Sequence, residues 1–470
     1  MTKLASIIFI FITVFVLGYF LIKPAVNWGG DIIEYYGITE SLINHGSSKL
    51  TIQDKSNIER LLNPAYFEDP QYYIKNSSGD RYPVHFIFYS MLLIPIRILL
   101  EIFGQNPIKT IALTNLTIIS LAVLFIIKKF ITDTTKKLIF LALVCLSPLA
   151  YFIAWPGPEV LYTCMILLAV FSFFNHKYFF AALFAVVGSW QSQPLAVMAL
   201  GFIFYYALAN KKISTKLMML ILLLVIPYLY SYLIFGLFSP WGIINNGWTT
   251  YYGFGIQNIS LKKIFEQLFD PNIGLFWYFP IIVIGGLISY IKSLTKKQSL
   301  FILIILILTA FAYQTNPAWN YGTSGFGPTR YSLFLLPIFI YFFMTHIKSS
   351  YKTYLVLLLY FLTQFYIFSF NGYLIPNFFS ALDHSPYAKS ILNNYPVIYN
   401  PTPEIFVDRT NHTDLDHFTT AIYKNNGLCK KAYVLLNEKQ KLINECGYVP
   451  EKYLNKFTDN YSFEGIYVDY

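Results

Sequence analysis

Residues 27–36 read NWGGDIIEYY and follow directly on an apolar run from Leu4 to Ile22. The two glycines free the backbone at the point where that run ends. Asp31 and Glu34 stand three residues apart, so both carboxylates face the same way if a helix begins at Asp31. The apolar residues up to Leu42 continue an amphipathic pattern, which predicts a helix lying on a membrane surface. Asp31 could cap this helix, or it could act as a base at the depth of lipid headgroups.

The composition is typical of a polytopic membrane protein. Of the 470 residues, 56% are hydrophobic and only 12% are charged, whereas a soluble domain carries about 25% charged residues. The mean hydropathy is +0.51. The net charge of +10 does not indicate a nucleic-acid partner, because the basic residues of a membrane protein must first be sorted by loop. No small-x-small cleavage site follows the first apolar run, so we expect an uncleaved anchor.

Twelve apolar segments are found, at residues 4–22, 84–103, 108–127, 138–153, 159–174, 178–189, 195–209, 217–237, 275–291, 299–314, 331–347 and 352–370. Segment 84–103 contains Arg97 and Glu101, which are costly at membrane depth. If this segment lies in the interface, Lys3 and every lysine cluster between the later spans fall on one side, with Asp133 as the only acid there. The positive-inside rule then predicts eleven spans, a cytoplasmic N-terminus and an outer C-terminus.

Polar residues that could take part in catalysis or binding lie in the predicted outer loops. His85 could be a metal ligand, a proton carrier, a headgroup contact or a packing residue. Glu159 could complement the N-terminus of its helix or face the same cavity as Asp31. Arg330 and Tyr331 follow a glycine-rich loop, where an arginine fork suits a phosphate but could also be an interfacial anchor. There is no Walker loop, GxGxxG, HExxH or GxSxG motif, so nucleotide-dependent catalysis is not supported.

Several short motifs in this order resemble the GT-C superfamily of integral-membrane glycosyltransferases. They are most similar to the branch with the protein O-mannosyltransferases and the lipid A aminoarabinose transferase. The likeness covers about residues 1–370 and rests on the following stretches: Gly30-Asp31-Ile32-Ile33-Glu34-Tyr35-Tyr36, Tyr82-Pro83, Pro158-Glu159, Asp270 to Leu275, and Gly327-Pro328-Thr329-Arg330-Tyr331. The family's adjacent Asp-Glu pair is spaced here as Asp31 and Glu34.

The resemblance implies a polyprenyl-phosphate sugar donor and a glycan, lipid or protein acceptor on the outer face of the cell (inner) membrane. Asp31 and Glu34 would be catalytic, with Asp31 as the base. The resemblance places Arg330 on the lipid phosphate. From their positions in the outer loops, we expect His85, Glu159 and Tyr331 to bind substrate as well, although His85 has no counterpart among the family's motifs. Attack by an acceptor hydroxyl in a single displacement would invert the anomeric centre. No cofactor is demanded, although Asp31, Glu34 and Glu159 could bind a divalent metal.

Two other functions compete with glycosyl transfer. One is a transporter or flippase of lipid-linked glycans, which would need polar residues inside the spans. The other is an O-antigen polymerase or ligase. We expect an all-α membrane domain over residues 1–370 with interfacial helices in the first outer loop.

A small α+β domain is expected outside the membrane over residues 371–470. Within it, 432–436, 441–444 and 463–468 resemble short strands. Cys429 and Cys446 flank the first two of these runs. We therefore predict a disulfide between them across a hairpin.

Overall fold

The computed structural model describes residues 31–62, 73–211, 214–239, 255–316, 319–320, 326–347, 351–371, 382–413, 419–458 and 464–470, together with Val16, Gly18 and Tyr19. The rest of the first predicted span, 4–22, and the glycines at 29 and 30 lie outside these residues.

The described chain is mostly helical and ends in a small sheet. In chain order, the helices are α1 Ile32–His45, α2 Ile52–Leu62, α3 Phe88–Ile102, α4 Thr110–Lys129, α5 Thr134–Cys145, α6 Glu159–Phe174, α7 Tyr178–Ser189, α8 Leu195–Asn210, α9 Thr215–Phe235, α10 Leu261–Phe269, α11 Leu275–Tyr278, α12 Pro280–Ser293, α13 Lys297–Gln314, α14 Leu336–His346, α15 Tyr351–Asn371, α16 Pro386–Asn394, α17 Pro403–Asn411 and α18 Lys439–Cys446. The strands are β1 Tyr73–Lys75, β2 Arg81–Pro83, β3 Ala421–Asn425, β4 Leu428–Leu435 and β5 Gly465–Asp469.

Three of the described helices are long and apolar enough to cross a membrane, at Pro107–Lys129, Thr215–Phe235 and Lys297–Gln314. Their 18 to 23 residues match the roughly 20 residues that a hydrocarbon core requires. Shorter apolar helices are found at Glu159–Phe174, Tyr178–Ser189, Leu195–Asn210, Pro280–Ser293 and Tyr354–Ser369. The helix α9 differs from the other two because only 17% of its apolar 18-residue stretch is buried inside the protein. The count of eleven spans stays a prediction.

Three predicted spans are broken near a proline. Segment 138–153 is helical only to Cys145, and a 3-10 turn follows at Pro148–Phe152. Segment 275–291 divides into α11 and α12 at Pro280, and segment 331–347 begins with a 3-10 turn at Arg330–Leu335. Proline has no N–H to donate and clashes with the preceding turn of a helix. Asn115 of α4 donates to the carbonyl of Ile153 at 3.0 Å, which satisfies part of the irregular backbone.

The first loop folds into α1, α2 and α3 joined by a two-stranded ribbon. In α3, Arg97 donates from Nε to Glu40 of α1 at 2.6 Å, so this charge faces its neighbour helix. The opposite face of α3 exposes Ile98, Leu99 and Ile102. The helix α3 is therefore amphipathic over its 15 residues. Its position in the membrane interface stays a prediction.

The C-terminal domain packs α16, α17 and α18 around a three-stranded antiparallel sheet in the order β3-β4-β5. Strands β3 and β4 are joined by Asn426 and Gly427, both with positive φ, as a tight hairpin turn requires. The strands predicted at 432–436 and 463–468 are present in large part. The strand predicted at 441–444 is wrong, because these residues belong to α18. Gly447 ends that helix in the left-handed conformation with a φ of 83°, and only Leu442 in it is fully buried.

Cys429 and Cys446 form a disulfide, with their Cα atoms 5.8 Å apart. The predicted pairing is therefore confirmed. The predicted hairpin geometry is wrong, because the bond joins β4 to the end of the helix α18 and not to a second strand. The two cysteines are 17 residues apart in sequence. Closing a loop of this size stabilises a folded domain by about 3 kcal/mol on the chain-entropy model.

Candidate active site

A cavity of about 580 Å³ lies where the first loop meets the start of α6, the helices α8 and α9, and the turn at Arg330–Leu335. Four charged side chains of the described residues line it, namely Asp31, His85, Glu159 and Arg330, which we call the charged cluster. Asp31 and Arg330 are 299 residues apart in sequence. Five of the six residues that the sequence analysis assigned to the site therefore line one cavity, namely the charged cluster and Tyr331.

Asp31 occupies the N-cap position of α1, but its side chain makes no capping hydrogen bond. The carboxylate Oδ2 lies 3.4 Å from Nη1 of Arg330 and 4.0 Å from Nε2 of His85. The side chain is buried, with 6% of its surface exposed. Helix capping therefore does not account for this aspartate, and its carboxylate belongs to the charged cluster.

Glu34 lies behind His85. Its carboxylate accepts one hydrogen bond from the backbone N–H of His85 at 2.8 Å, and its other oxygen lies 2.6 Å from Nδ1 of the ring. Glu34 is fully buried and is not among the described residues that line the cavity. It is placed to orient the imidazole so that Nε2 faces Asp31.

The surroundings of His85 keep its imidazole charged. Burial by itself lowers the pKa of His85, but the carboxylates of Glu34 and Asp31 outweigh burial and raise the pKa to about 9, from an ordinary value of 6.5. Both ring nitrogens carry a proton at neutral pH as a result. Nδ1 lies 2.6 Å from the carboxylate of Glu34, and Nε2 lies 4.0 Å from that of Asp31.

Glu159 and Arg330 form the second half of the charged cluster. Glu159 begins α6, and its Oε1 lies 3.4 Å from Nη1 of Arg330. The same Nη1 serves Asp31, so one nitrogen of the guanidinium bridges two carboxylates. Both distances exceed the 2.7–2.9 Å that is usual for charge-assisted bonds. The backbone carbonyl of Arg330 accepts a hydrogen bond from the hydroxyl of Tyr162 at 2.8 Å, which anchors the turn to α6.

Four buried polar atoms of residues that line the cavity have no hydrogen-bond partner among the described residues. They are the hydroxyl of Tyr35, Oε2 of Glu159, Oε1 of Gln191 and Nε of Arg330. Buried polar groups are nearly always satisfied in folded proteins. This set contains two acceptors and two donors. A ligand that carries both hydroxyl groups and an anionic group would satisfy all four atoms.

One wall of the cavity is apolar and includes Val197 of α8 together with Pro227 and Phe235 of α9. We call these three residues the apolar wall. On its other side, α9 exposes Leu222 and Leu233, which are 65% and 76% exposed. In the part of the chain that the structure describes, α9 thus lies between this side of the cavity and the surroundings of the protein.

No group of three His, Cys, Asp or Glu side chains is placed to hold a metal ion in the part of the chain that the structure describes. Asp31, Glu34 and Glu159 are the acids that the sequence analysis considered for a metal. Here Asp31 and Glu159 share the guanidinium of Arg330, and Glu34 is bonded to His85. The positive charges within the charged cluster come from Arg330 and His85.

Comparisons with protein-family models, with curated proteins and with solved structures find no match for this chain. The GT-C resemblance, which rests on the motifs alone, stays a prediction.

Tyr35 and Gln191 are among the polar residues of the cavity that the sequence analysis did not assign to the site. Tyr35 was quoted only as part of the motif around Asp31, and its fully buried ring contacts His85 at 5.6 Å between centroids. Gln191 lies in a loop whose sequence, WQSQP, offered no motif. The placement of Gln191 depends on a hydrogen bond from its Nε2 to the carbonyl of Phe86 at 2.7 Å. No local pattern announces a contact between residues 105 positions apart.

Proposed function

We propose that this chain is an integral-membrane glycosyltransferase. It transfers a sugar from a polyprenyl-phosphate donor to an acceptor hydroxyl on the outer face of the membrane, with inversion. The observation that carries the proposal is Arg330, whose Nε is buried without a partner among the described residues and whose Nη1 touches two carboxylates. It lines a cavity that also has an apolar wall on a helix able to span a membrane.

The charged cluster supplies the groups that such a reaction needs. Asp31 accepts the proton of the acceptor hydroxyl, and the freed electron pair attacks the anomeric carbon of the sugar. The bond from that carbon to the phosphate oxygen breaks, and its electrons leave with the lipid phosphate. Arg330 and protonated His85 balance the charge that gathers on the departing phosphate. One displacement on the opposite face of the sugar inverts the anomeric centre.

The unsatisfied atoms of the cavity suit the two parts of the donor. Oε2 of Glu159 and Oε1 of Gln191 are acceptors, which match the hydroxyl groups of a sugar. Nε of Arg330 is a charged donor, which matches a phosphate oxygen. The apolar wall on α9 suits the first isoprene units of the lipid. Tyr331, whose hydroxyl is 3.4 Å from Nη2 of Arg330, helps to hold the guanidinium.

The proposal includes the membrane topology predicted from the lysines. Eleven spans, with the N-terminus in the cytoplasm, place the first loop, the start of α6, the turn at Arg330–Leu335 and the C-terminal domain on the outer side. All the residues of the charged cluster then lie on one side. That side is where a lipid-linked sugar and its acceptor would meet.

Reconstitution of the purified protein in lipid nanodiscs tests the proposed activity. Polyprenyl-phosphate hexoses and pentoses, offered with candidate acceptor glycans and lipids, should be cleaved to polyprenyl phosphate as the sugar moves to the acceptor. A transporter would move the intact donor across a vesicle membrane without cleaving it. A polymerase or ligase would consume diphosphate-linked glycans and leave the monophosphate donors untouched.

The charge on His85 leads to a prediction about pH. Because the pKa of His85 is raised to about 9, the imidazolium and its ion pair with Glu34 persist below that pH and are lost as the pH rises through it. We expect the transfer rate to fall across the same range. The pH–rate profile of the wild type should show this limb, and His85→Gln, with a low rate, should lack it. An identical alkaline limb in His85→Gln would show that another group titrates.

Gly157 leaves room for the carboxylate of Glu159. A Cβ atom at position 157 would stand 2.2 Å from Oε2 of Glu159 and 3.0 Å from Nε1 of Trp155. We expect Gly157→Ala to leave the protein folded, because the carboxylate can swing aside, but to lower the transfer rate about tenfold by breaking its contact with Arg330. In a Glu159→Ala background, the same change should have no further effect. A full additional loss in that background would mean that Gly157 acts through something other than Glu159.

A further inference from the structure

The C-terminal domain contacts the loop that leads to Arg330. Glu404, the second residue of α17, is 2% exposed, and its two oxygens accept hydrogen bonds from the backbone N–H groups of Trp319 and Asn320 at 2.6 and 2.7 Å. A buried carboxylate is costly unless its oxygens are bonded. Both of these partners belong to the loop between α13 and Arg330. The carboxylate therefore fixes two consecutive amides of that loop.

Two more residues of α17 hold the same point. Arg409 donates from Nε to Oδ1 of Asn320 at 2.8 Å, and the amide nitrogen of Asn320 lies 3.4 Å from Oδ2 of Asp408. Arg409 and Asp408 are fully buried. The helix α17 thus binds both the backbone and the side chain of Asn320. This arrangement defines the position of Trp319 as well.

Trp319 links the contacts of α17 to a residue that lines the cavity. Its fully buried ring is stacked on the ring of Tyr331, with centroids 5.5 Å apart and planes at 14°. The hydroxyl of Tyr331 accepts from Nδ2 of Asn316 at 2.5 Å and lies 3.4 Å from Nη2 of Arg330. A continuous set of contacts therefore leads from α17, through Trp319 and Tyr331, to the guanidinium.

We propose that Glu404 is a positioning residue for Arg330, so that docking of the C-terminal domain sets the affinity of the cavity for the donor's phosphate. This inference rests on the proposed function. Glu404 is not among the described residues that line the cavity, and the contacts that lead from it to Arg330 run through Trp319 and Tyr331. The C-terminal domain is then part of the machinery for donor binding and not a separate appendage.

Glu404→Gln tests the role with little change of shape. The amide has only one oxygen to accept the two N–H groups, and its NH₂ group opposes one of them. We expect the Kd for polyprenyl phosphate to rise about tenfold, measured by titration of the purified full-length protein in nanodiscs. If this variant fails to fold, Glu404→Asp keeps the charge but is shorter by one methylene, and it should raise the Kd in the same direction.

Tyr399→Phe is the matched control. The hydroxyl of Tyr399 donates to Asp270 at 3.0 Å, which is another buried contact between the C-terminal domain and the rest of the chain. This hydroxyl bonds Asp270 and Asn272 and neither Trp319 nor Tyr331. Its loss should therefore change the Kd by less than twofold. An equal loss in Tyr399→Phe would show that general loosening of the domain, and not positioning by Glu404, sets the affinity.

A double-mutant cycle completes the test. In an Arg330→Lys background, which retains a charge to bind the phosphate, Glu404→Gln should raise the Kd by less than twofold, because the fork that it positions is gone. If the two substitutions raise the Kd independently, so that their separate factors multiply in the double variant, the inference is overturned. A wild-type Kd in the Glu404→Gln single variant would also overturn it. If the wild type itself does not bind polyprenyl phosphate, the proposed function fails and the inference with it. Wild-type binding together with an unaffected Glu404→Gln variant refutes the positioning role alone.

Discussion

Asp31→Asn should lower the rate of sugar transfer by about 10²–10⁴-fold, which is the typical contribution of a general base. The asparagine keeps the size of the side chain but cannot take a proton from the acceptor. Donor binding should be retained or become tighter, because Nη1 of Arg330 loses one of the two carboxylates that compete with a phosphate. Single-turnover transfer and polyprenyl phosphate titration, performed on the same preparation, separate the two effects.

Asp54 provides the matched control for Asp31. It is a fully buried aspartate of the same loop, bonded to Thr51, Asn44 and His45 and absent from the residues that line the cavity. Asp54→Asn should lower thermal stability, and the protein that remains folded should transfer sugar at nearly the wild-type rate. Wild-type transfer by Asp31→Asn, or an equal loss in Asp54→Asn, would remove Asp31 from the role of base.

Arg330→Ala should weaken polyprenyl phosphate binding by roughly 10–100-fold, corresponding to about 1.5–3 kcal/mol for a charge-assisted hydrogen bond. It should also lower stability, because Asp31 and Glu159 would remain buried without the cation between them. The two effects must be measured separately. We therefore expect a lower Tm together with a higher Kd for this variant.

Arg330→Lys separates charge from geometry. A lysine still balances the two carboxylates, so the Tm should stay close to that of the wild type. It lacks the planar fork and the Nε donor, so the Kd for polyprenyl phosphate should still rise by several-fold. A wild-type Kd in both variants would make Arg330 a structural cation only, and the phosphate would have to bind elsewhere.

The sequence indicated the charged cluster because the loops that carry it could be assigned to one side of a membrane. Asp31 follows the first apolar segment, Glu159 begins another and Arg330 directly precedes a third. The topology predicted from the lysines puts these three segment ends on the same side of the membrane. The role of Glu34 could not be read in the same way. Its distance of three residues from Asp31 suggested a shared task, whereas its hydrogen bonds to His85 depend on how α1 packs against residues 51 positions later.

The remaining differences arise where tertiary contacts outweigh local pattern. Residues 441–444 were assigned to a strand from a short run, although Gly447 is a typical end signal for a helix. The apolar runs at 138–153 and 331–347 were predicted to be continuous spans. In the first run, Pro148 begins a 3-10 turn after the helix has ended, and in the second run, Pro337 lies in the first turn of the helix that follows a 3-10 turn. The link from Glu404 to Trp319 joins positions 85 residues apart, and no sequence pattern encodes it.

A structure of the full-length protein in nanodiscs with bound polyprenyl phosphate is the most direct test of the proposed site. We predict density for the phosphate within hydrogen-bonding distance of Nε of Arg330, with the first isoprene units against Pro227 and Phe235 on α9. The carboxylate of Asp31 should face the space where the sugar would stand. A phosphate bound at a different place, with the cavity unoccupied and Nε of Arg330 still without a partner, would contradict the account.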